Sequence, residues 1–371
     1  MKKVNIFYIS DFGGHSIAAK NLKEAFYHRD SQVRVLSLNG FGHFYPRSEK
    51  VVDFIYTIII KHFPFIWGTT YDRKGVIKHL TPIQRWINKL SFRKLSRLVR
   101  DFNPDCLVAT QAFPCGMLAD FKKKLGLKTP LVAVVTDYHP HRFWIHPFVD
   151  KYVVACSQAK EALIQEGVDA DKVKILGIPI SVRFLTSFPK DEVAREIGFR
   201  NDLPSVLLMG GALGMGAIKE VAQQLDELNL DFQMIVVCGR NERLHDWFDE
   251  NIDKFKKPIH YFGYIDFVNK IMDFSDIIVT KGGGITISEA LAKGMAIIID
   301  NPIPGQEERN VNYLFKKNAI IEADNSKGVV GAVEALLQDK KKIYALKEKA
   351  KENSMIDSSL RIVDLILGEI G

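Results

Sequence analysis

The stretch DIIVTKGGGITISEALAKGMAIIIDNP, residues 276–302, contains two β-rich apolar runs separated by a helix-length segment. Glycines at 282, 283 and 284 follow the first run, and Gly294 ends the helical pattern before the second run begins. Parallel neighbouring strands need a crossover connection of about this length, most often a helix. The stretch therefore predicts a strand, helix and strand unit of a parallel sheet.

The same alternation extends over the whole chain. Its β-rich runs are VNIFYI, VRVLSL, CLVAT, LVAVVT and YVVACS in the first half, and SVLLMG, MIVVCG, IHYFGY, DIIVTKG and AIIIDNP in the second. Two consecutive sets of five indicate an α/β protein with two doubly wound parallel sheets. Pro179 in LGIPISVRFL marks the joint. We predict domains 1–178 and 179–354, with a final amphipathic helix in 355–371 that packs back on the first domain.

The composition is that of a folded protein with more than one domain. At 371 residues the chain is long for one core, and 47% hydrophobic with 26% charged residues excludes a mostly disordered chain. The four cysteines match neither a zinc site nor a secreted disulfide framework, which favours a reducing cytoplasm. The first apolar run stops at SDFGGH, too early for a signal peptide, and predicts a first strand.

The formal net charge of +7 is unevenly distributed. Residues 1–150 hold 23 Lys and Arg against 11 Asp and Glu, and within them residues 61–100 hold ten basic residues against the single acid Asp72. Such a stretch favours an anionic partner. The overlapping run VVDFIYTIIIKHFPFIW, residues 51–67, is too short to span a bilayer. It is either an anchor that lies in the membrane interface or a helix packed on the sheet.

Glycine-rich loops follow two of the predicted strands, where open parallel sheets bind their ligands. GGHSIAAKNL, residues 13–22, is either a loop that meets an anion or an oxygen-rich ligand or a tight turn in which His15 caps the next helix. MGGALGMG, residues 209–216, leaves room for a diphosphate against backbone amides. A dinucleotide site has an acid after the next strand, where this chain has CGRNERL. Arg240 in this motif suits a phosphate better than a ribose, so the sequence argues against a dehydrogenase.

The glycine loop inside residues 276–302 carries the most informative pattern. Backbone amides near Thr286 can face a phosphate, and Glu289, one turn into the helix, can accept hydrogen bonds from two ribose hydroxyls. A nucleotide would supply the phosphate for these amides and the ribose hydroxyls for Glu289. The alternative is a loop without a ligand, in which Glu289 is an acid that complements the helix dipole.

Five motifs resemble, in their order along the chain, those of the monogalactosyldiacylglycerol synthase and processive diacylglycerol glucosyltransferase family: GGHxxAA, TDYHPHRFW, MGGALGMG, CGRNERL and KGGGITISEALAKG…PGQEERN. The chain is more distantly similar to the cell-wall enzyme that adds N-acetylglucosamine to lipid I. The resemblance implies a GT-B fold of two Rossmann-like domains facing a cleft. It also implies an inverting hexosyltransferase that uses a UDP-sugar as substrate, acts on the hydroxyl of diacylglycerol or a glycosyl-diacylglycerol, and needs neither cofactor nor metal.

The same resemblance assigns roles residue by residue. Glu289 would bind the ribose, and Tyr264 and Ile265 the uracil. The diphosphate would lie against Gly284, Ile285 and Thr286, and Gly211 and Gly214 would line the cleft near it, with Arg240 as a weaker candidate for stabilising the leaving diphosphate. The donor sugar would face Gln306, Glu307 and Asn310. His15 is the candidate general base for the acceptor hydroxyl, since an ordinary imidazole pKa of about 6.5 suits that role, and Asp137 is the next candidate. Acceptor contacts would come from Gly14, His141 and Trp144. Departures from the family pattern are Phe12, Ala212 and Gly282.

Other functions fit some of these residues. The acceptor could be another lipid-linked molecule, such as a peptidoglycan precursor, and a UDP-sugar 2-epimerase would act on the donor without lipid. A nucleic-acid-binding module would use the basic stretch, but no helix-turn-helix or RNA-binding signature accompanies it. The spacing of His139, His141 and His146 does not favour a metal site. We expect a cytoplasmic protein, peripheral on the inner face of the cell membrane, whose partner is an anionic membrane surface and not a nucleic acid.

Overall fold

The computed structural model describes residues 1–9, 13–39, 92, 94–303 and 305–371. The predicted interfacial segment 51–67, most of the basic stretch 61–100 and Phe12 lie outside the described residues. The chain divides into two units. Unit 1 comprises Met1–Val182, Pro304–Gln306 and Asp357–Gly371, and unit 2 comprises Arg183–Ile303 and Glu307–Ile356.

Unit 1 contains a six-stranded sheet in which all neighbours are parallel, in the order β2-β1-β3-β4-β5-β6. Its strands are β1 Lys3–Tyr8, β2 Arg34–Asn39, β3 Cys106–Ala109, β4 Leu131–Val134, β5 Lys151–Val154 and β6 Val173–Ile175. Its helices include α1 Gly14–Arg29, α2 Ala112–Leu125 and α3 Ser157–Gln165. Every residue of β3 and β4 is buried, because helices cover both faces of a parallel sheet, and these strands are therefore continuous apolar runs.

Unit 2 contains a second six-stranded parallel sheet, in the order β12-β11-β10-β7-β8-β9. Its strands are β7 Ser205–Met209, β8 Gln233–Val237, β9 Ile259–Phe262, β10 Ile277–Thr280, β11 Ala296–Asp300 and β12 Ile320–Ala323. The helices are α4 Lys190–Ile197, α5 Ile218–Asp226, α6 Glu242–Asn251, α7 Val268–Phe274, α8 Gly284–Ala292, α9 Gln306–Lys316, α10 Ser326–Gln338 and α11 Lys340–Glu352, and only Gln306, the first residue of α9, belongs to unit 1. This strand order is that of the Rossmann fold. Across the two units, short 3₁₀ turns occupy Arg142–Trp144, Ala170–Lys172, Val182–Leu185 and Ile252–Lys254.

Each sheet has one strand more than the sequence predicts. The additional strands, β6 and β12, lie at sheet edges and have three and four residues. Only Val173 of β6 is buried, and the middle residues of β12 are half-buried, so neither strand has the long apolar run that marks the central strands. The prediction of five strands per sheet was wrong for this reason.

The last helix, α12 Ser358–Glu369, belongs to unit 1. Its Ile362, Val363 and Ile366 are fully buried in one apolar cluster with residues of β1 and α1. Ser358 Oγ also donates to the carbonyl of Ile178 at 2.7 Å. Each fully buried aliphatic side chain contributes roughly 1.5–3 kcal/mol to stability, so α12 is an integral part of the unit 1 core.

A helical stretch at residues 94–102 carries exposed basic side chains. Leu95 and Val99 are buried, whereas Lys94, Arg97 and Arg100 are exposed at helical spacing. We call these three cations the basic face. Within the part of the chain that the structure describes, no helix combines the length and hydropathy required to cross a bilayer.

Candidate active site

Both sheets reverse their strand order beside their first strand. In unit 1, β1 lies between β2 and β3, and in unit 2, β7 lies between β8 and β10. Open α/β sheets bind ligands outside the carboxyl ends of the strands at such a reversal, where loops lead into helix N-termini. The loops that the sequence singles out follow these strands, so each unit has one edge suited to a ligand.

In unit 2 the glycine loop after β7 is locked against the loop after β8. Gly214 has φ +56°, and a Cβ there would lie 2.0 Å from the Cys238 carbonyl oxygen. Gly239 has φ +59°, and its Cβ would lie 2.6 Å from the Ala212 oxygen, which also accepts a hydrogen bond from Arg240 N at 2.9 Å. Only glycine fits such close backbone approach. Gly214 therefore builds the loop, and its contact with a diphosphate stays a prediction.

Helix α8 begins directly behind β10 with its first amides available for an anion. Its N-cap residue is Gly283, which has no side chain to cap them. The first residues of α8 are Gly284, Ile285 and Thr286, and uncapped amides at a helix N-terminus are suited to phosphate. The nearest atom to a Cβ built on Gly211 is Thr286 Oγ1, at 3.9 Å. The two glycine loops of unit 2 thus meet at the start of α8.

Helix α9 holds the loop before α8. A Cβ at Gly282 would lie 2.7 Å from Glu307 Cβ and 3.1 Å from Val311 Cγ2, which explains a glycine at this departure from the family pattern. Buried Asn310 donates from Nδ2 to the Gly282 carbonyl at 3.1 Å, and Glu307 Oε2 accepts from Ile303 N at 2.9 Å. Glu307 and Asn310, predicted to face the donor sugar, thus both support loops.

Glu289 lies one turn inside α8 and is 7% exposed. Its burial raises the pKa of the carboxyl to about 8, and in the described chain neither a nearby charge nor a hydrogen bond offsets this effect. A buried carboxyl without partners is costly, and a ligand that brings hydroxyl donors would relieve that cost. The two adjacent hydroxyls of a ribose have the required chemistry.

Arg240 and Tyr264 form an exposed pair near the loops after β8 and β9. The Arg240 guanidinium carbon lies 5.1 Å from the centroid of the Tyr264 ring, a cation–π geometry. The Tyr264 ring is 49% exposed, and neighbouring Ile265 is half-buried. The structure thus associates Arg240, predicted at the diphosphate, with a residue predicted at the uracil.

In unit 1, His15 lies in the first turn of α1, which begins at exposed Gly14. Its Nδ1 lies 3.0 Å from the Thr110 carbonyl oxygen and 2.8 Å from Thr136 Oγ1. Thr110 Oγ1 donates in return to the His15 carbonyl at 2.9 Å. The N-cap of α1 is Gly13, so His15 does not cap the helix and is instead held by residues that follow β3 and β4.

Asp137, which follows Thr136, acts on His15 through its charge. Burial lowers the pKa of His15 from its ordinary value, and the Asp137 carboxylate partly opposes that shift, so the imidazole is neutral at pH 7. Gln306, which belongs to unit 1, donates from Nε2 to both Asp137 oxygens at 2.8 and 2.9 Å. The predicted second base thus has a hydrogen-bond partner on each oxygen.

His141 and Trp144, predicted to contact the acceptor, are 6% and 2% exposed. His141 Nδ1 accepts a hydrogen bond from Phe143 N at 3.1 Å and caps the 3₁₀ turn, and Cys115 Sγ contacts the Trp144 carbonyl at 3.8 Å. His141 thus caps its own 3₁₀ turn and the Trp144 side chain is buried, and the predicted acceptor contacts of both residues stay a prediction. One group of three potential metal ligands comes together in the described residues, outside this loop: His245, Asp246 and Asp249.

Two family models match the chain. Residues 15–180 match monogalactosyldiacylglycerol (MGDG) synthase, and residues 205–362 match the glycosyltransferase family 28 C-terminal domain. A processive diacylglycerol beta-glucosyltransferase of Bacillus mycoides is 30% identical over 367 residues, which covers 96% of this chain and 91% of that protein. The chain belongs to this diacylglycerol glycosyltransferase family. A Bacillus cereus protein of the same name is also 30% identical, over 365 residues with the same coverage. The glycosyltransferase class predicted from the sequence is confirmed.

Solved structures similar to this glycosyltransferase confirm its predicted GT-B fold. MurG of Acinetobacter baumannii has a TM-score of 0.64 at 15% identity and covers 99% of this chain and 100% of its own. HepE of Anabaena, in complex with UDP and glucose, has a TM-score of 0.57 at 14% identity with the same coverage. UDP-GlcNAc 2-epimerase of Neisseria meningitidis, bound to UDP-GlcNAc, has a TM-score of 0.60 at 13% identity and again the same coverage. At these identities the likeness establishes the fold alone.

Sequence reasoning missed Thr110 and Thr136, the partners of His15. Each stands directly after an apolar run, CLVA for Thr110 and LVAVV for Thr136. Their signal is a small polar residue at the carboxyl end of a buried strand, and the two strands, β3 and β4, are the first and second neighbours of β1 on one side of the sheet.

Proposed function

We propose that this chain is an inverting glycosyltransferase that moves a hexose from a UDP-sugar to the hydroxyl of diacylglycerol, or of a glycosyl-diacylglycerol. The observation that carries the donor assignment is the buried Glu289 carboxyl, unpaired within the described chain, one turn behind the uncapped start of α8. The family of the chain and the names of its relatives support the lipid acceptor.

On the donor side, the diphosphate lies against the first amides of α8 while Glu289 accepts hydrogen bonds from the two ribose hydroxyls. Negative charge grows on UDP as it leaves, and fixed amide dipoles at a helix N-terminus stabilise that charge without reorganising. Tyr264, with the Arg240 guanidinium on its ring, provides an aromatic surface for the uracil. These contacts use neither cofactor nor metal, and the UDP-sugar is consumed as a substrate.

On the acceptor side, His15 is the general base. The acceptor oxygen attacks the anomeric carbon from the face opposite UDP, which inverts that carbon, and its proton passes to the imidazole. A neutral imidazole at pH 7 supports this role, and general-base help contributes about 10²–10⁴-fold in rate. The nearby Asp137 charge stabilises the imidazolium that forms.

The enzyme works on the cytoplasmic face of the membrane as a peripheral protein. Ten basic residues against one acid in residues 61–100 support an anionic lipid surface as partner, and the basic face belongs to that stretch. Each Lys or Arg near such a surface contributes about 1 kcal/mol, an attraction that salt screens. We expect no nucleic-acid partner.

A product assay tests this function. The protein is incubated separately with UDP-glucose, UDP-galactose and UDP-GlcNAc, each with vesicles that contain either diacylglycerol or a lipid-linked peptidoglycan precursor, and the lipid is analysed by mass and anomeric linkage. A hexosyl-diacylglycerol of inverted configuration, absent with E289A and present with the exposed-site control E227A, is the expected result. Epimerised donor without lipid product supports the 2-epimerase, and transfer only to a lipid-linked peptidoglycan precursor supports the other acceptor. Either result overturns the proposal.

A further inference from the structure

The ring nitrogen Nδ1 of His15 meets two oxygen atoms of different hydrogen-bonding capacity. One is the Thr110 carbonyl at 3.0 Å and the other is Thr136 Oγ1 at 2.8 Å. A carbonyl oxygen can only accept, so its contact is a hydrogen bond only when Nδ1 carries the proton. A hydroxyl can accept or donate, and Thr136 therefore suits a protonated Nδ1 by accepting. The Thr110 contact therefore selects the neutral tautomer in which Nε2 has the free electron pair, and the Thr136 contact is compatible with that tautomer.

The other tautomer is disfavoured by the same geometry. It would direct the Nδ1 lone pair at the Thr110 carbonyl oxygen and lose that hydrogen bond. Thr110 is fully buried and Thr136 is 4% exposed, so water is poorly placed to replace the lost bond. The backbone next to both oxygens is anchored in the sheet, because Thr110 N donates to the Phe7 carbonyl at 3.1 Å and Val135 N donates to the Val153 carbonyl at 2.9 Å.

We propose that Thr136, with the Thr110 carbonyl, is a positioning residue that holds His15 as the Nδ1–H tautomer and so presents Nε2 as the base. The use of Nε2 rests on the proposed function, whereas the tautomer does not. In the transfer, the acceptor O–H bond breaks and its proton joins Nε2. The acceptor oxygen bonds to the anomeric carbon, and the electron pair of the broken bond to UDP leaves with UDP. The resulting imidazolium donates a stronger, charge-assisted bond from Nδ1 to the two oxygens.

Nuclear magnetic resonance tests the tautomer without any substrate. The full chain is labelled with ¹⁵N-histidine, and the His15 signals are assigned by their loss in H15Q. Two-bond proton–nitrogen correlations distinguish a protonated Nδ1 from a protonated Nε2. We expect Nδ1–H for neutral His15 in the ligand-free protein at pH 8. An Nε2–H pattern would overturn the proposal, whatever the variants below do.

Kinetics of T136V and T136S test the contribution of the hydroxyl. T136V removes one acceptor of the imidazolium, so we expect kcat/KM to fall roughly 10- to 100-fold. Its acid limb should also move to lower pH, because the charged imidazole is stabilised less, while Asp137 continues to act on the ring. T136S should restore both properties.

A folded T136V with the wild-type pH profile and rate would remove Thr136 from the proposal. If T136V does not fold, the tautomer of wild-type His15 and the pH–rate profile of T136S still test the proposal. An Nδ1–H signal in a protein that transfers sugar to no lipid would leave the tautomer standing and refute the proposed function instead.

Discussion

UDP should bind more tightly as pH rises from 7 to 9, because Glu289 must lose a proton to accept two ribose hydroxyls. Burial raises the pKa of the ligand-free carboxyl to about 8. Two hydroxyl donors in the complex favour the carboxylate and lower that pKa. Binding therefore releases a proton, and affinity increases with pH until the ligand-free pKa has been passed.

The size of the effect follows from the ionised fraction. With a pKa of about 8, roughly a tenth of the carboxyls are ionised at pH 7 and roughly nine-tenths at pH 9. If only the ionised form binds, the apparent Kd falls about tenfold over this window, a change of about 1.4 kcal/mol. Close to one proton should leave per UDP bound at pH 7. The second ionisation of a phosphate, near pH 6, lies below the window.

Isothermal titration calorimetry at pH 7, 8 and 9, in pairs of buffers with different ionisation enthalpies, measures both the Kd and the proton count. E289Q cannot ionise and should show weaker binding with neither slope nor proton release. The exposed-site control E227Q should behave as the wild type. A wild-type Kd that stays constant across the window, or an E289Q protein with the same slope, would refute the ribose assignment.

Three further predictions follow from the loops and surfaces. G282A should lose about 1–3 kcal/mol of stability in chemical denaturation, because the added Cβ would lie 2.7 Å from Glu307 Cβ. The control G283A has open space around its Cβ and a φ of −72°, so it should unfold like the wild type. Equal denaturation midpoints for G282A and the wild type would contradict this packing. H15A should lower kcat by about 10²–10⁴-fold with UDP affinity unchanged, and near-normal turnover would exclude the base assignment. Replacement of Lys94, Arg97 and Arg100 of the basic face by glutamine should reduce the fraction of protein that sediments with anionic vesicles at low salt and leave UDP binding unchanged. Salt-independent vesicle binding by the wild type would argue against electrostatic attachment.

The sheets could be predicted because burial on both faces leaves central parallel strands as continuous apolar runs. All five residues of each of β7, β8 and β11 are buried, and each strand overlaps an apolar run that is recognisable in the sequence. The edge strands β6 and β12 were not predicted. An edge strand lacks a neighbour on one side, and half-buried residues such as Glu322 interrupt its apolar run.

The site could be predicted only as far as local sequence determines it. His15 and Glu289 lie within the first two turns of helices that follow strands, so their place near the carboxyl edge of each sheet could be predicted. The partners of His15 are 95 and 121 residues away in sequence, and only the adjacency of β1, β3 and β4 brings them to its ring. Burial of Trp144 was also hidden, since an aromatic residue in a loop motif can face either ligand or core.

The return of α12 to unit 1 sets an order of folding during translation. Leu360, Ile362, Val363 and Ile366 of α12 complete a core whose other buried members lie before residue 183, so that core must wait while residues 183–356 are synthesised. At about 5–20 residues per second this delay is roughly 10–35 s. All strands of unit 2 precede α12 in the sequence, so unit 2 can fold before the core of unit 1 is complete. It can do so although most of unit 2 is synthesised after most of unit 1. Until then the apolar residues of β1 and α1 lack the helix that completes their burial.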